Sequence, residues 1–239
     1  MDLKDKAVLV AGGAGGIGLG IAEALAAEGC KVAVADYSKD ALDKAVKSKS
    51  LAGRVCDVTN RAQVAELLDW FAKEIGSIDI LVNSAGINVG NRMMANIDPD
   101  DFDRVMEVNT TGTFNCIHAA LPIMRDKGSG LIVNIVSLAG LRVMQLAGMP
   151  YCVSKFATGA LGTFVNLEEA ANGIKVTNIY PGETNTPIVD KRPTPPPPEK
   201  RAAMLQPEDI AACVVAVAKL PPRAVVPELV ITPPHMMVG

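Results

Sequence analysis

Tyr151 and Lys155 lie in the run YCVSK (151–155), and the spacing i, i+4 places both on one face of a helix. A phenol loses its proton near pH ~10, too high for acid–base work at neutral pH. An ammonium on the same face stabilises the phenolate and lowers that pKa. Ser137 ends the apolar run GLIVNIVS (130–137), where its hydroxyl can donate a hydrogen bond to a substrate oxygen. The chemistry these three suit is proton transfer at an oxygen whose developing charge is stabilised nearby. Taken alone, Tyr-x-x-x-Lys is a common spacing and structural more often than not, so its surroundings decide.

A second chemical signal lies near the start, in VLVAGGAGGIGLG (8–20). Its glycines follow an apolar strand and open a helix, the place where an α/β fold binds a dinucleotide's pyrophosphate on backbone N–H groups. Two registers fit: GAGGIG (13–18) as G-x-G-x-x-G, and Gly12, Gly16 and Gly18 as G-x-x-x-G-x-G. The next strand ends in Asp36, whose carboxylate would accept hydrogen bonds from both adenosine ribose hydroxyls and repel a 2′-phosphate. Tyr37 follows where a cation would otherwise serve that phosphate, so the reading is NAD(H) over NADP(H). A glycine-rich turn without ligand is the alternative, and the strand, helix and carboxylate together weigh against it.

The elements that must position these groups alternate along the chain. Apolar runs at 6–11, 31–36, 54–58, 78–83, 130–137, 175–180 and 227–232 read as strands, several continuous in Val, Ile and Leu as in parallel strands buried on both faces. Helical patterns over 17–29, 61–76 and 98–128 intervene. The alternation predicts an α/β fold, a doubly wound sheet of about seven parallel strands in one domain spanning 1–239. Residues 181–209 break the rhythm, and their prolines predict irregular chain until a helix starts near Pro207.

Composition narrows the function. With 239 residues, 49% apolar and 4% aromatic, the chain is large enough for a core without metals or disulfides. A net charge of −3 and the lack of a dense Lys/Arg run argue against nucleic acid. No apolar stretch approaches the roughly 20 residues a bilayer requires. The charged start MDLKDKAVLV lacks a secretory pattern, and five widely spaced cysteines read as reduced thiols, so a cytoplasmic location is expected. No metal cluster is apparent; His118 and His235 are read as core, surface or tail residues.

In order and spacing, AGGAGGIG (11–18), Asp57–Val58, NSAG (83–86), Asn109, Ser137, YCVSK and PGETNT (181–186) resemble the short-chain dehydrogenase/reductase superfamily over nearly the whole chain. The resemblance implies a three-layer α/β/α Rossmann-like domain, a homodimer or homotetramer, that moves a hydride between a nicotinamide and an alcohol or carbonyl carbon. It implies Tyr151 as general acid/base, Lys155 lowering its pKa and holding the nicotinamide ribose, Ser137 orienting the carbonyl, and Asn109 anchoring a water beside Lys155. Gly12, Gly16, Ile17 and Gly18 would cradle the pyrophosphate. Asp57 and Val58 would border the adenine, and Asn83, Ala85 and Gly86 the nicotinamide ribose. Pro181, Gly182, Thr184 and Thr186 would meet the nicotinamide end. Two positions depart from the pattern: Ala11 where Thr is usual, and Ser84 where a second Asn is common.

By the same resemblance, residues 187–206 form a Pro-rich substrate lid. Asn88, Leu138, Val143, Met144, Met149 and Ile188 are expected as pocket walls. Lys191 or Arg192, with Arg92 or Arg142, is a candidate receptor for an anionic substrate group, against the plainer reading of solvated surface charge. The expected activity is hydride transfer between NAD(H) and a small alcohol or carbonyl compound. An NADPH-dependent 3-oxoacyl-thioester reductase and a non-catalytic dinucleotide sensor are the alternatives. The presence of all four of Ser137, Tyr151, Lys155 and Asn109 favours the enzyme.

Overall fold

Apolar residues in the strand runs alternate sides, and both sides are buried. A computed structural model describes residues 2–49 and 51–236; Met1, Ser50 and residues 237–239, included in the single-domain reading of 1–239, lie outside the described residues. In β1 (Ala7–Ala11), Val8 and Val10 enter one core, while Ala7, Leu9 and Ala11 enter the other. The same alternation holds in β2 (Lys31–Asp36): Val32 and Val34 join the first core, Ala33 and Ala35 the second. Helix α1 (Gly16–Ala27) covers the first face through Ile21, Ala22 and Leu25. Burial on both faces is what continuous Val/Ile/Leu runs require.

The chain continues through α2 (Lys39–Lys49), β3 (Ala52–Val55), α3 (Arg61–Glu74), β4 (Ile80–Asn83), α4 (Pro99–Met106), α5 (Gly112–Lys127), β5 (Gly130–Ile135), α6 (Met149–Glu169), β6 (Ile174–Pro181), α7 (Pro198–Ala202), α8 (Pro207–Ala218) and β7 (Glu228–Ile231). All strands are parallel, in the order β3-β2-β1-β4-β5-β6-β7. The order reverses between β1 and β4. Their carboxyl ends therefore diverge and leave a crevice, the usual ligand site of a doubly wound sheet.

Three local results differ from the sequence expectation. The third strand is Ala52–Val55, earlier than 54–58. Asp57 ends it: its carboxylate accepts from the Thr59 N–H (2.9 Å) and hydroxyl (2.8 Å), which turns the chain at the crevice rim. The helix expected over 98–128 carries a π-helical turn at Glu107–Thr111, centred on Asn109. There the Asn109 carbonyl is taken by the hydroxyls of Thr113 (2.9 Å) and Thr158 (3.0 Å), and the loosened turn follows. The Pro-rich segment is not irregular throughout. A 3-10 turn spans Pro187–Lys191, and α7 starts on Pro198, a position where the missing N–H is harmless.

Three asparagines in register brace the sheet below the crevice. Asn83 donates to Asn134 (2.9 Å), Asn134 to Asn178 (3.0 Å), and Asn178 to the Gly159 carbonyl of α6 (2.9 Å). All three are buried, and the ladder ties β4, β5 and β6 to the helix carrying Tyr151.

Candidate active site

The crevice is a cavity of about 900 Å³. One wall is the glycine loop. Gly12 and Gly16 hold φ of +75° and +52°, which L side chains rarely adopt. A Cβ on Gly12 would collide with the Ala85 backbone, and one on Gly18 with the Gly12 carbonyl. The structure thus selects the Gly12–Gly16–Gly18 register. A Cβ on Gly13 would also meet the Val10 carbonyl and Val34, whereas Gly15 faces open space and Gly13 lacks the positive φ. No side chain caps α1 at Gly15, so its first N–H groups are available to an anion. This cradle fits a dinucleotide's pyrophosphate, and Gly12, Gly16 and Ile17 line it, with Gly18 packed behind.

Asp36, Tyr37, Asp57 and Val58 line one end of the cavity. The Asp36 carboxylate accepts from the Ala14 N–H (3.2 Å) and the Ser38 N–H (3.0 Å), one per oxygen. Each oxygen keeps capacity for a second donor, as a ribose diol requires. Tyr37 is 77% exposed.

Ser137, Tyr151 and Lys155 line the same cavity. The Lys155 ammonium lies 5.6 Å from the Tyr151 ring centroid and donates to the Ile135 carbonyl (2.9 Å). The Ser137 oxygen accepts from the Ala139 N–H (3.1 Å), which frees its proton for another acceptor. The expected lowering of the Tyr151 pKa does not dominate. Burial pushes the phenol up to about 12, with the Ser137 hydrogen bond pulling the other way. Burial pulls Lys155 down to about 8.

Lys155 carries a stability consequence. Its folded pKa is depressed, so its destabilisation is full below pH 8 and fades as pH rises toward the unfolded value near ~10.4. The shift corresponds to about 3 kcal/mol, partly offset by the bond to Ile135. Lys155→Met therefore raises Tm at pH 7 by roughly 5 °C, and the gain shrinks between pH 8 and ~10.5. Calorimetric scans across that range check both parts; a Tm gain independent of pH contradicts the assignment.

Asn109 is fully buried and outside the cavity lining. Its side chain clamps Ile87, accepting from the Ile87 N–H (2.7 Å) and donating to the Ile87 carbonyl (3.0 Å) and the Ser154 hydroxyl (2.9 Å). Between them sits Gly86, where an added Cβ would lie 3.4 Å from the Lys155 nitrogen. Asn109 thus positions the loop that backs Lys155. Ala85, Gly86, Pro181, Gly182, Thr184 and Thr186 all line the cavity. Asn83 does not: its side chain belongs to the asparagine ladder.

On the substrate side, Asn88, Leu138, Met144, Ile188 and Arg192 line the cavity. Val143 and Met149 correct the expectation. Val143 is 84% exposed, and neither it nor Met149, the first residue of α6, is among the residues that line the cavity. Arg192 is not free in solvent; it pairs with Glu183 at 2.9 Å, both largely enclosed. Glu183 was missed in the sequence, although a charge directly after Pro181–Gly182 was the available signal. Arg92 is buried and joins three backbone carbonyls, including Lys191 of the lid.

Among the described residues no helix is long and apolar enough to cross a membrane, and no His/Cys/Asp/Glu group is placed to hold a metal.

A family model described as short chain dehydrogenase matches residues 6–196. Glycine betaine reductase ATRR of Emericella nidulans is 34% identical over 241 residues, covering 97% of this chain and 19% of that protein, so the chain spans about a fifth of that relative. An uncharacterized oxidoreductase of Staphylococcus saprophyticus is 32% identical over 239 residues, covering 98% of this chain and 99% of its own. A serine dehydrogenase in its closed form with NADP+ superposes with a TM-score of 0.88 at 26% identity, covering 97% of this chain and 96% of that one.

Proposed function

The chain belongs to the short chain dehydrogenase family of oxidoreductases, and from that premise we propose that it interconverts a small alcohol and its carbonyl compound with NAD(H). The observation that carries this reading is a single cavity with Ser137, Tyr151 and Lys155 in its wall and the glycine cradle and Asp36 lining the same space. A bound nicotinamide supplies the hydride acceptor or donor. In the oxidative direction the substrate O–H proton passes to the Tyr151 oxygen as the carbon gives up its hydride. In reduction Tyr151 returns the proton to the carbonyl oxygen. Ser137 donates to that oxygen, whose charge rises in the transition state. Lys155 holds a positive charge beside the phenol, and Asn109 keeps the backing loop in place. A homo-oligomer is part of the proposal, supported by Val153, Phe156, Phe164 and Leu167, which leave apolar surface of α6 in water.

The test is a spectrophotometric panel of alcohols, hydroxy acids, polyols and steroids with NAD+ and NADP+. NAD+-dependent turnover of a small alcohol is the expected result. Turnover with NADP+ alone would overturn the cofactor reading. NADH binding without turnover of any compound would favour a dinucleotide sensor.

A further inference from the structure

Arg92, Arg192 and Glu183 line the cavity beside the lid, and Arg104, Glu107 and Lys155 line it as well. Arg192 and Glu183 form an ion pair at 2.9 Å with side chains 15% and 19% exposed. The second Glu183 oxygen lies 3.5 Å from His235. Arg92 is 4% exposed, its stem packed over Gly148 (φ +84°) at the start of α6, the helix that carries Tyr151. Its Nε donates to the Gly90 carbonyl (3.4 Å), one Nη to Leu146 (3.2 Å) and the other to Lys191 (2.6 Å). All three acceptors are neutral. A guanidinium has five N–H donors, so donors remain on Arg92 beyond these three bonds. Arg92 also feels the positive charge of Arg192.

Beside the lid two cations face one anion next to apolar residues that include Ile87, Leu138, Met144 and Ile188, and Lys155 adds a further cation to the same cavity. An uncompensated charge in such a place is costly unless a partner arrives. An anionic group on the substrate would be that partner. Guanidinium forks match the planar geometry of a carboxylate.

We propose that the substrate is a small hydroxy acid whose carboxylate is held by Arg192 and Arg92 while its hydroxyl meets Tyr151. This deepens the oxidoreductase reading above and rests on it. Glu183 is then the internal competitor that occupies Arg192 until the substrate carboxylate displaces it.

The experiment is calorimetric titration of the NADH-loaded protein with lactate and 3-hydroxybutyrate, each beside its methyl ester, and with inorganic phosphate. NADH blocks oxidation, so binding is read without turnover. The expected result is acid binding about thirtyfold tighter than ester binding. Arg192→Gln reduces that ratio toward one, and Glu183→Gln tightens the acid by about tenfold. The opposite signs of the two variants separate the proposal from simple misfolding. Equal binding of acid and ester overturns it, as does phosphate binding in preference to the acids. It is also overturned if Arg192→Gln weakens NADH itself and leaves the ratio intact. Acid binding with these signs but no turnover with either nicotinamide would retain the carboxylate site and sink the oxidoreductase reading. Turnover of neutral alcohols without acid preference would do the reverse.

Discussion

Tyr151→Phe lowers kcat by about a thousandfold or more, while the Kd for NADH changes by only a few fold. The substitution removes one oxygen and leaves the ring in place against Lys155. What is lost is the atom that takes and returns the substrate proton. With the phenol pushed up to about 12, the protonated form that donates in reduction predominates, and oxidation runs through the minor phenolate that the Ser137 hydrogen bond favours. A phenyl ring cannot donate at any pH. Raising pH or substrate concentration therefore rescues nothing, and the loss falls on kcat with KM little changed. Single-turnover kinetics with purified protein, beside NADH fluorescence titration, checks this. Residual activity above a tenth of the wild type would remove Tyr151 from the proton path, leaving Ser137 as the hydroxyl beside the substrate oxygen.

The sequence made some of this site legible because the signals are local. Tyr151 and Lys155 share a helical face by spacing alone, and Asp36 is marked by ending a strand after a glycine loop. The register of that loop was not legible: two patterns sharing Gly18 fitted, and the positive φ of Gly12 and Gly16, with open space at Gly15, separates them. The substrate side was read less well. Residues 141–148 have no period, so nothing in the sequence says that Met144 turns in while Val143 turns out. Arg192 read as a lone cation because its partner, Glu183, is reached only when the Pro187–Lys191 turn folds the lid back. The same prolines hid α7, since Pro198 stands at a helix start, where proline is tolerated. Asn83 carried a family role, yet its side chain is spent within the sheet, a link between strands that single-strand patterns do not reveal.

Asp36→Ala combined with Tyr37→Arg shifts the ratio of kcat/KM for NAD+ over NADP+ toward NADP+ by a hundredfold or more. The argument is electrostatic. A 2′-phosphate would sit against the Asp36 carboxylate, and like charges in such contact cost several kcal/mol, roughly two or more powers of ten. No cation offsets this at the strand end: Tyr37 follows Asp36, and Lys39 is tied to Asp43 at 2.5 Å. Tyr37 is 77% exposed at the cavity edge, so an arginine there reaches the phosphate without burying its charge. Asp36 has a second duty that sets the side effect. Its carboxylate holds the Ala14 N–H within the glycine loop and the Ser38 N–H after the strand. Removing it loosens the cradle, so the double variant loses part of its absolute activity with both cofactors. Asp36→Asn keeps an oxygen for one of those N–H groups and removes the charge. It therefore gains NADP+ activity with less loss of NAD+ activity than the alanine variant. Steady-state kinetics of the three proteins with both cofactors separates the two duties. If the wild type already prefers NADP+, or if Asp36→Asn leaves the ratio unchanged, the carboxylate braces the glycine loop and does not choose the cofactor.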